Sequence, residues 1–117
     1  MRHTLFPLAE IENGERRAVK VGKTEIVIVR TDKGDLFALR DRCPHAGAKL
    51  SRGRVLEKVI VGRDGGYALS MEECVLRCPW HAYEFDLATG LCEADPEHVR
   101  VKNYAVTVED GMVVLER

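Results

Sequence analysis

Arg16-Arg17-Ala18-Val19-Lys20-Val21-Gly22-Lys23-Thr24-Glu25-Ile26-Val27-Ile28-Val29-Arg30 is the stretch whose reading decides the fold. Two β-prone runs flank a Gly-Lys pair, and such a two-residue connection predicts a hairpin. Ile26 to Val29 are apolar in succession rather than in alternation. Neighbouring side chains of a strand point to opposite faces, so this strand needs cover on both and is predicted to be interior. Working outward, Asp35 to Arg40 is a third run, reached through the turn Asp32-Lys33-Gly34. Arg54 to Val61 and Tyr67 to Ser70 are predicted to pair across Gly62 to Gly66, whose glycines read as turn residues. Tyr104 to Val108 and Met112 to Leu115 flank Asp110-Gly111, a strong hairpin signal. Ser70-Met71-Glu72-Glu73 has the spacing of a helix capping box, but the run after it is too short to sustain a helix. The expectation is one all-β domain over residues 1–117. It would hold roughly eight to ten strands in antiparallel sheets or an open barrel.

Charge excludes two classes of partner. The chain has 18 basic and 19 acidic residues, a formal net charge of -1. That balance gives no broad field for nucleic acid or an acidic membrane surface, so any docking charge must be local. No stretch approaches the ~20 apolar residues of a membrane span, and Met1 to Ile11 does not resemble a secretory signal. A cytoplasmic protein is the expectation. In a reducing compartment four cysteines point to metal ligation before disulfides.

Two segments interrupt the strand pattern, around 43–51 and 78–83. The first begins Cys43-Pro44-His45 and the second Cys78-Pro79-Trp80-His81. Each supplies one thiolate and one imidazole within a tight turn, and each proline stiffens that turn by fixing φ. Together they make a four-ligand site for one metal centre. Zinc accepts two Cys and two His, although zinc modules usually group like ligands. The mixed pairs here suit a 2Fe–2S centre in which one iron takes both sulfurs and the other both imidazoles.

These two motifs resemble the cluster-binding loops of the Rieske family, and Glu84-Phe85-Asp86-Leu87-Ala88-Thr89-Gly90 is similar to the strand and turn that come after the second loop there. The resemblance runs from about Leu5 to the C-terminus. It implies one Rieske 2Fe–2S cluster held by Cys43, His45, Cys78 and His81. The segment between the two motifs is longer than in the family's small ferredoxins, with the surplus expected in a hairpin between Ser51 and Glu73. High-potential members of the family carry a disulfide between the loops, at positions matching Ala48 and Trp80 here. They also carry a serine and a tyrosine whose hydroxyls donate to the cluster sulfurs; the matching positions here are Tyr83, whose hydroxyl sits on a longer side chain that need not reach the same sulfur, and Phe85, which has none. The resemblance therefore implies a low-potential protein, within a family range of roughly −150 to +300 mV. It implies an electron-transfer component rather than an enzyme acting alone, carrying single electrons from a reductase to a terminal oxygenase. A small Rieske subunit of a larger reductase, such as one acting on nitrite, is the alternative, and a zinc-bearing interaction module a third.

The remaining candidates read more plainly. Cys74, Leu76 and Cys78 alternate along one strand face, so Cys74 and Cys92 are expected as buried free thiols rather than ligands or a disulfide. A second iron site of the terminal-oxygenase type needs two histidines and a carboxylate. Only His3 and His98 remain, far apart in the chain, and surface positions are expected for both. Ala94-Asp95-Pro96-Glu97 reads equally as a third loop closing over the cluster or as a surface turn.

Overall fold

The structure is a computed structural model that describes residues 1–44, 47–61, 65–79 and 83–117, with backbone alone at 58–61 and 67–73. The described residues form strands β1 (Arg2–Pro7), β2 (Arg16–Val21), β3 (Thr24–Arg30), β4 (Leu36–Arg40), β5 (Arg54–Val61), β6 (Tyr67–Arg77), β7 (Glu84–Asp86), β8 (Asn103–Glu109) and β9 (Met112–Glu116). A six-stranded sheet runs β1-β9-β8-β4-β3-β2 and a three-stranded sheet β5-β6-β7, with antiparallel pairing throughout. The all-β expectation holds. No helix among the described residues is long and apolar enough to cross a membrane.

The deciding hairpin forms along its whole length, from Arg16↔Val29 to Val21↔Thr24. Gly22 turns it with φ 62°, a left-handed conformation that costs glycine nothing. At the β8–β9 turn both Asp110 (φ 50°) and Gly111 (φ 75°) are left-handed, which matches the twist of the strands they join.

Strand β3 is covered on both faces, as its unbroken apolar run requires. Ile26 and Ile28 enter a core with Phe6, Val21, Val113 and Leu115 on one side. Val27 and Val29 enter a second core with Leu39, Leu76, Phe85 and Leu87 on the other. All four β3 side chains are fully buried. At about 2 kcal/mol each, their burial rivals the entire net stability of a small domain, so one polar replacement here would threaten folding. The second core lies between the two sheets and holds the thiols of the candidate site.

Two strands depart from expectation. β1 pairs with β9 from Arg2↔Glu116 to Pro7↔Met112, with a register shift between Thr4 and Phe6. That irregularity breaks the period-two pattern by which a strand is read from sequence. β6 extends past Ser70 to Arg77, so Ser70–Glu73 is extended chain and not a helix start. The pairing jumps from Val59↔Leu69 to Glu57↔Cys74, leaving Lys58 opposite Ser70–Glu73. β5 and β6 thus form a long, irregular antiparallel pair.

Candidate metal centre

The first loop leaves the end of β4. The Asp41 N–H donates to the Glu25 carbonyl at 2.9 Å, fixing the exit. The Cys43 N–H then donates to the Ala48 carbonyl and the Gly47 N–H to the Cys43 carbonyl, both at 2.8 Å. Asp41 closes the loop from outside. Its buried carboxylate accepts the Ser51 N–H at 2.6 Å and the Ser51 hydroxyl at 2.7 Å. The chain on either side of the loop is therefore pinned to one side chain.

The second loop is the tip of the β6–β7 hairpin, whose last paired residues are Arg77 and Glu84. Their side chains also meet, with Arg77 Nη2 and Nε donating to Glu84 Oε2 at 3.0 and 3.2 Å. The Cys78 N–H donates to the Tyr83 carbonyl at 2.7 Å. The two loops thus share one device: a backbone N–H of the cysteine bonded to the carbonyl five residues on. Each ring spans the residues between that cysteine and its motif histidine.

Two glycines near the loops allow close backbone approaches. A Cβ on Gly53 would sit 1.8 Å from the carbonyl oxygen of Arg77, the residue before Cys78. A Cβ on Gly90 would sit 2.1 Å from the Val101 carbonyl, and its φ of 78° also disfavours a side chain. The turn before Gly90 is built by Asp86, whose Oδ1 accepts the N–H groups of Ala88 and Thr89 at 2.9 and 3.0 Å. Beyond it, the Cys92 N–H donates to the Val99 carbonyl at 3.0 Å, making 92–99 a closed turn of its own. Pro96, Glu97 and His98 are exposed there.

The predicted ligands divide into two groups. Cys43 is 0% exposed and Cys78 1%, and both belong to the core between the sheets. Loops from different sheets therefore bring both sulfurs into one apolar layer, with no disulfide between them. His45, His81 and Trp80 lie outside the described residues. No cluster of three or more His, Cys, Asp or Glu able to hold a metal occurs among the described residues. Cys92 is buried in the same core and Cys74 packs against its edge, both as free thiols. Burial, then the nearby Glu57 carboxylate, pushes the Cys74 thiol above its usual range. His3 is half-buried on β1, whereas exposed His98 has Asp95 at 2.9 Å, an acidic companion the sequence did not reveal. They do not form a second iron site among the described residues.

A 2Fe–2S group fits what is present. Buried thiolates need compensation by positive charge, and soft sulfur ligands select iron–sulfur clusters among other thiophilic metals. Phe85 is fully buried and Tyr83 and Ala48 line the same core, so an apolar wall surrounds the sulfur end. Asp41, Gly53 and Gly90 were not foreseen as site residues. Each meets a partner ten or more residues away in the chain, which the motifs quoted above do not include.

Comparison with known proteins bears on this geometry. Residues 2–105 match the family described as the Rieske [2Fe-2S] domain. Apoptosis-inducing factor 3 of Mus musculus is 32% identical over 112 residues, which are 96% of this chain but 16% of that protein. The chain thus spans about a sixth of the length of that relative. The 3-phenylpropionate/cinnamic acid dioxygenase ferredoxin subunit of Escherichia coli (strain K12) is 27% identical over 110 residues, 94% of this chain and 88% of that one. Among solved structures, the Sphingomonas yanoikuyae B1 ferredoxin superposes with a TM-score of 0.73 at 30% identity, covering 100% of this chain and 99% of that one. A Mycobacterium tuberculosis chain described as an NADH-dependent nitrite reductase small subunit has a TM-score of 0.81 at 24% identity, covering 100% and 95%.

Proposed function

This chain belongs to the Rieske [2Fe-2S] domain family, and from that premise we propose that it is a one-electron carrier whose Cys43, His45, Cys78 and His81 hold the single cluster. The observation that carries the reading is the burial of Cys43 and Cys78 in one core, each at the head of a loop closed by the same backbone bond. A bound 2Fe–2S cluster of this kind supplies a one-electron couple. The chain's own residues do the rest. The ring bonds from Cys43 to Ala48 and from Cys78 to Tyr83 hold both sulfurs in place, so little rearrangement accompanies a change of charge. Phe85, Leu50 and Leu76 keep water from the sulfur side. Position 85 offers no hydroxyl to a sulfur, which supports a potential at the low end of the family range.

The proposed route runs from a reductase, through this chain, to a terminal oxygenase, supported by the likeness to a dioxygenase ferredoxin subunit over 88% of its length and to a solved ferredoxin over 99% of its length. A fixed subunit of a larger reductase is the second reading, favoured by the shape agreement with the nitrite reductase subunit. Co-purification separates them: a stable stoichiometric complex supports the fixed subunit, and a free monomeric carrier supports the shuttle. The ligand set has its own test. Purified protein should be red-brown, with two iron and two sulfide per chain and a reduced-state EPR signal of mixed nitrogen and sulfur ligation. His81→Ala should lose that spectrum. A colourless zinc protein, or an intact spectrum in His81→Ala, would overturn the assignment.

A further inference from the structure

The near-zero net charge conceals a one-signed groove beside the first cluster loop. An open groove of about 540 Å³ is lined by Arg40, Arg42, Pro44, Arg100, Val101 and Lys102. Val101 is its buried floor and the four cationic residues are exposed. Strand pairing assembles it. The Arg40 N–H donates to the Lys102 carbonyl at 2.8 Å, which brings the end of β4 beside the segment leading into β8. Arg100 is fixed there by its bridge to Leu91. Arg42 reaches back over Gly47 in the loop, with its Nε and Nη2 3.8 Å from where a Cβ on that glycine would lie.

None of these four side chains is in an ion pair among the described residues, where five other pairs form. Lys102 instead lies over the Tyr104 ring, 5.3 Å from its centre. Four cations without a carboxylate partner in one groove repel one another. Their placement matters because Pro44 stands between Cys43 and His45 in the chain. A partner docked in this groove therefore meets the cluster loop itself.

We propose that this groove is the docking surface for a redox protein that presents carboxylates around its own electron-exchange site. The proposal rests on the carrier reading above and adds which face docks and with what charge. A protein partner fits better than nucleic acid. The cationic patch is one short groove rather than a track, and the residues outside it return the chain to a net charge of -1.

Small redox ions probe this surface whatever the identity of the partner. The holoprotein, reduced with dithionite, is mixed in a stopped-flow cell with anionic tris(oxalato)cobaltate(III) or cationic hexaamminecobalt(III). Each ion takes one electron from the reduced cluster and becomes cobalt(II). The anion should react faster at low salt and slow as salt rises, and the cation should show the opposite trend. Arg100→Gln with Lys102→Gln should slow the anion on the order of tenfold at low salt, with the EPR spectrum unchanged. Lys23→Gln, in the β2–β3 turn, should leave the rate alone. Poly-L-glutamate should compete with the anion more strongly than a DNA duplex of equal charge. Rates that ignore the Arg100 and Lys102 substitutions while the cluster is intact would remove the docking surface and leave the carrier. Stronger competition by DNA would overturn the protein partner. Purified protein lacking the paired irons would take down the carrier reading and this one with it.

Discussion

Asp41→Ala should loosen the first loop without touching either thiol. The carboxylate is 2% exposed and accepts two hydrogen bonds from Ser51, one from the backbone at 2.6 Å and one from the hydroxyl at 2.7 Å. Hydrogen bonds to a charged group contribute roughly 1.5–3 kcal/mol each. Two bonds to one residue do not add, and removing a buried charge recovers part of its desolvation cost. A net loss of about 2–3 kcal/mol results once the Ser51 N–H is left without its acceptor. Loss of a cluster on unfolding is irreversible, so the useful quantity is a rate. Bleaching of the visible absorption in urea at 25 °C should accelerate about 30- to 150-fold where the whole loss falls on the opening rate, because 1.4 kcal/mol is tenfold. Ser51→Ala removes only the hydroxyl bond and should cost about 1.5 kcal/mol, the low end of that range. The double variant should then be milder than the sum of the two, revealing a coupling of about 1 kcal/mol. Bleaching of Asp41→Ala within twofold of the parent, or strict additivity in the cycle, would refute the idea that this pair pins the loop.

Gly53→Ala should prevent stable folding or strip the second loop of its shape, since its Cβ meets the Arg77 carbonyl. Gly111→Ala, left-handed at φ 75° but with open space around it, should cost only about 1 kcal/mol; equal effects in a thermal melt would show that the close approach is unimportant. In the holoprotein Cys74 should be the thiol most open to iodoacetamide, since it is half-buried while Cys92 is fully buried. At neutral pH it should still react more slowly than a free cysteine, because its thiol is held protonated. A raised folded value favours the fold below the ordinary thiol range, so that contribution is lost as pH climbs through the higher value; Cys74→Ser should flatten this alkaline decline in stability. Phe85→Tyr introduces a hydroxyl into a wholly buried position facing the thiol core. If it donates to a cluster sulfur, the midpoint potential should rise by about 59 mV per 1.4 kcal/mol of preferential bonding to the reduced state; protein-film voltammetry showing no rise would leave position 85 without a role in tuning.

The hairpin at 16–30 was legible to the residue because everything that makes it is local. Gly22 supplies the turn, and β-branched residues fill the strand that needs two covers. The burial of Cys43 and Cys78 follows from two short motifs, Cys-x-His and Cys-x-x-His, whose proposed ligands lie within a few residues of one another. What holds them is not local. Asp41 acts on Ser51 across the loop, Gly53 on Arg77, and Gly90 on Val101, each through a contact whose partner no periodicity predicts. The length of β6 was hidden likewise, because Ser70-Met71-Glu72-Glu73 has the spacing of a capping box and stands against a single residue of β5. Charge obeyed the same division. Arg40 and Arg42 are separated from Arg100 and Lys102 by about half of the chain, and a count over the whole molecule averages them to nothing. A partner feels charge only over a Debye length of about 8 Å at physiological salt. Within that distance the bond between Arg40 and Lys102 matters more than the total. The long-range pairing that sets up the loops therefore also decides which face of the molecule carries a field.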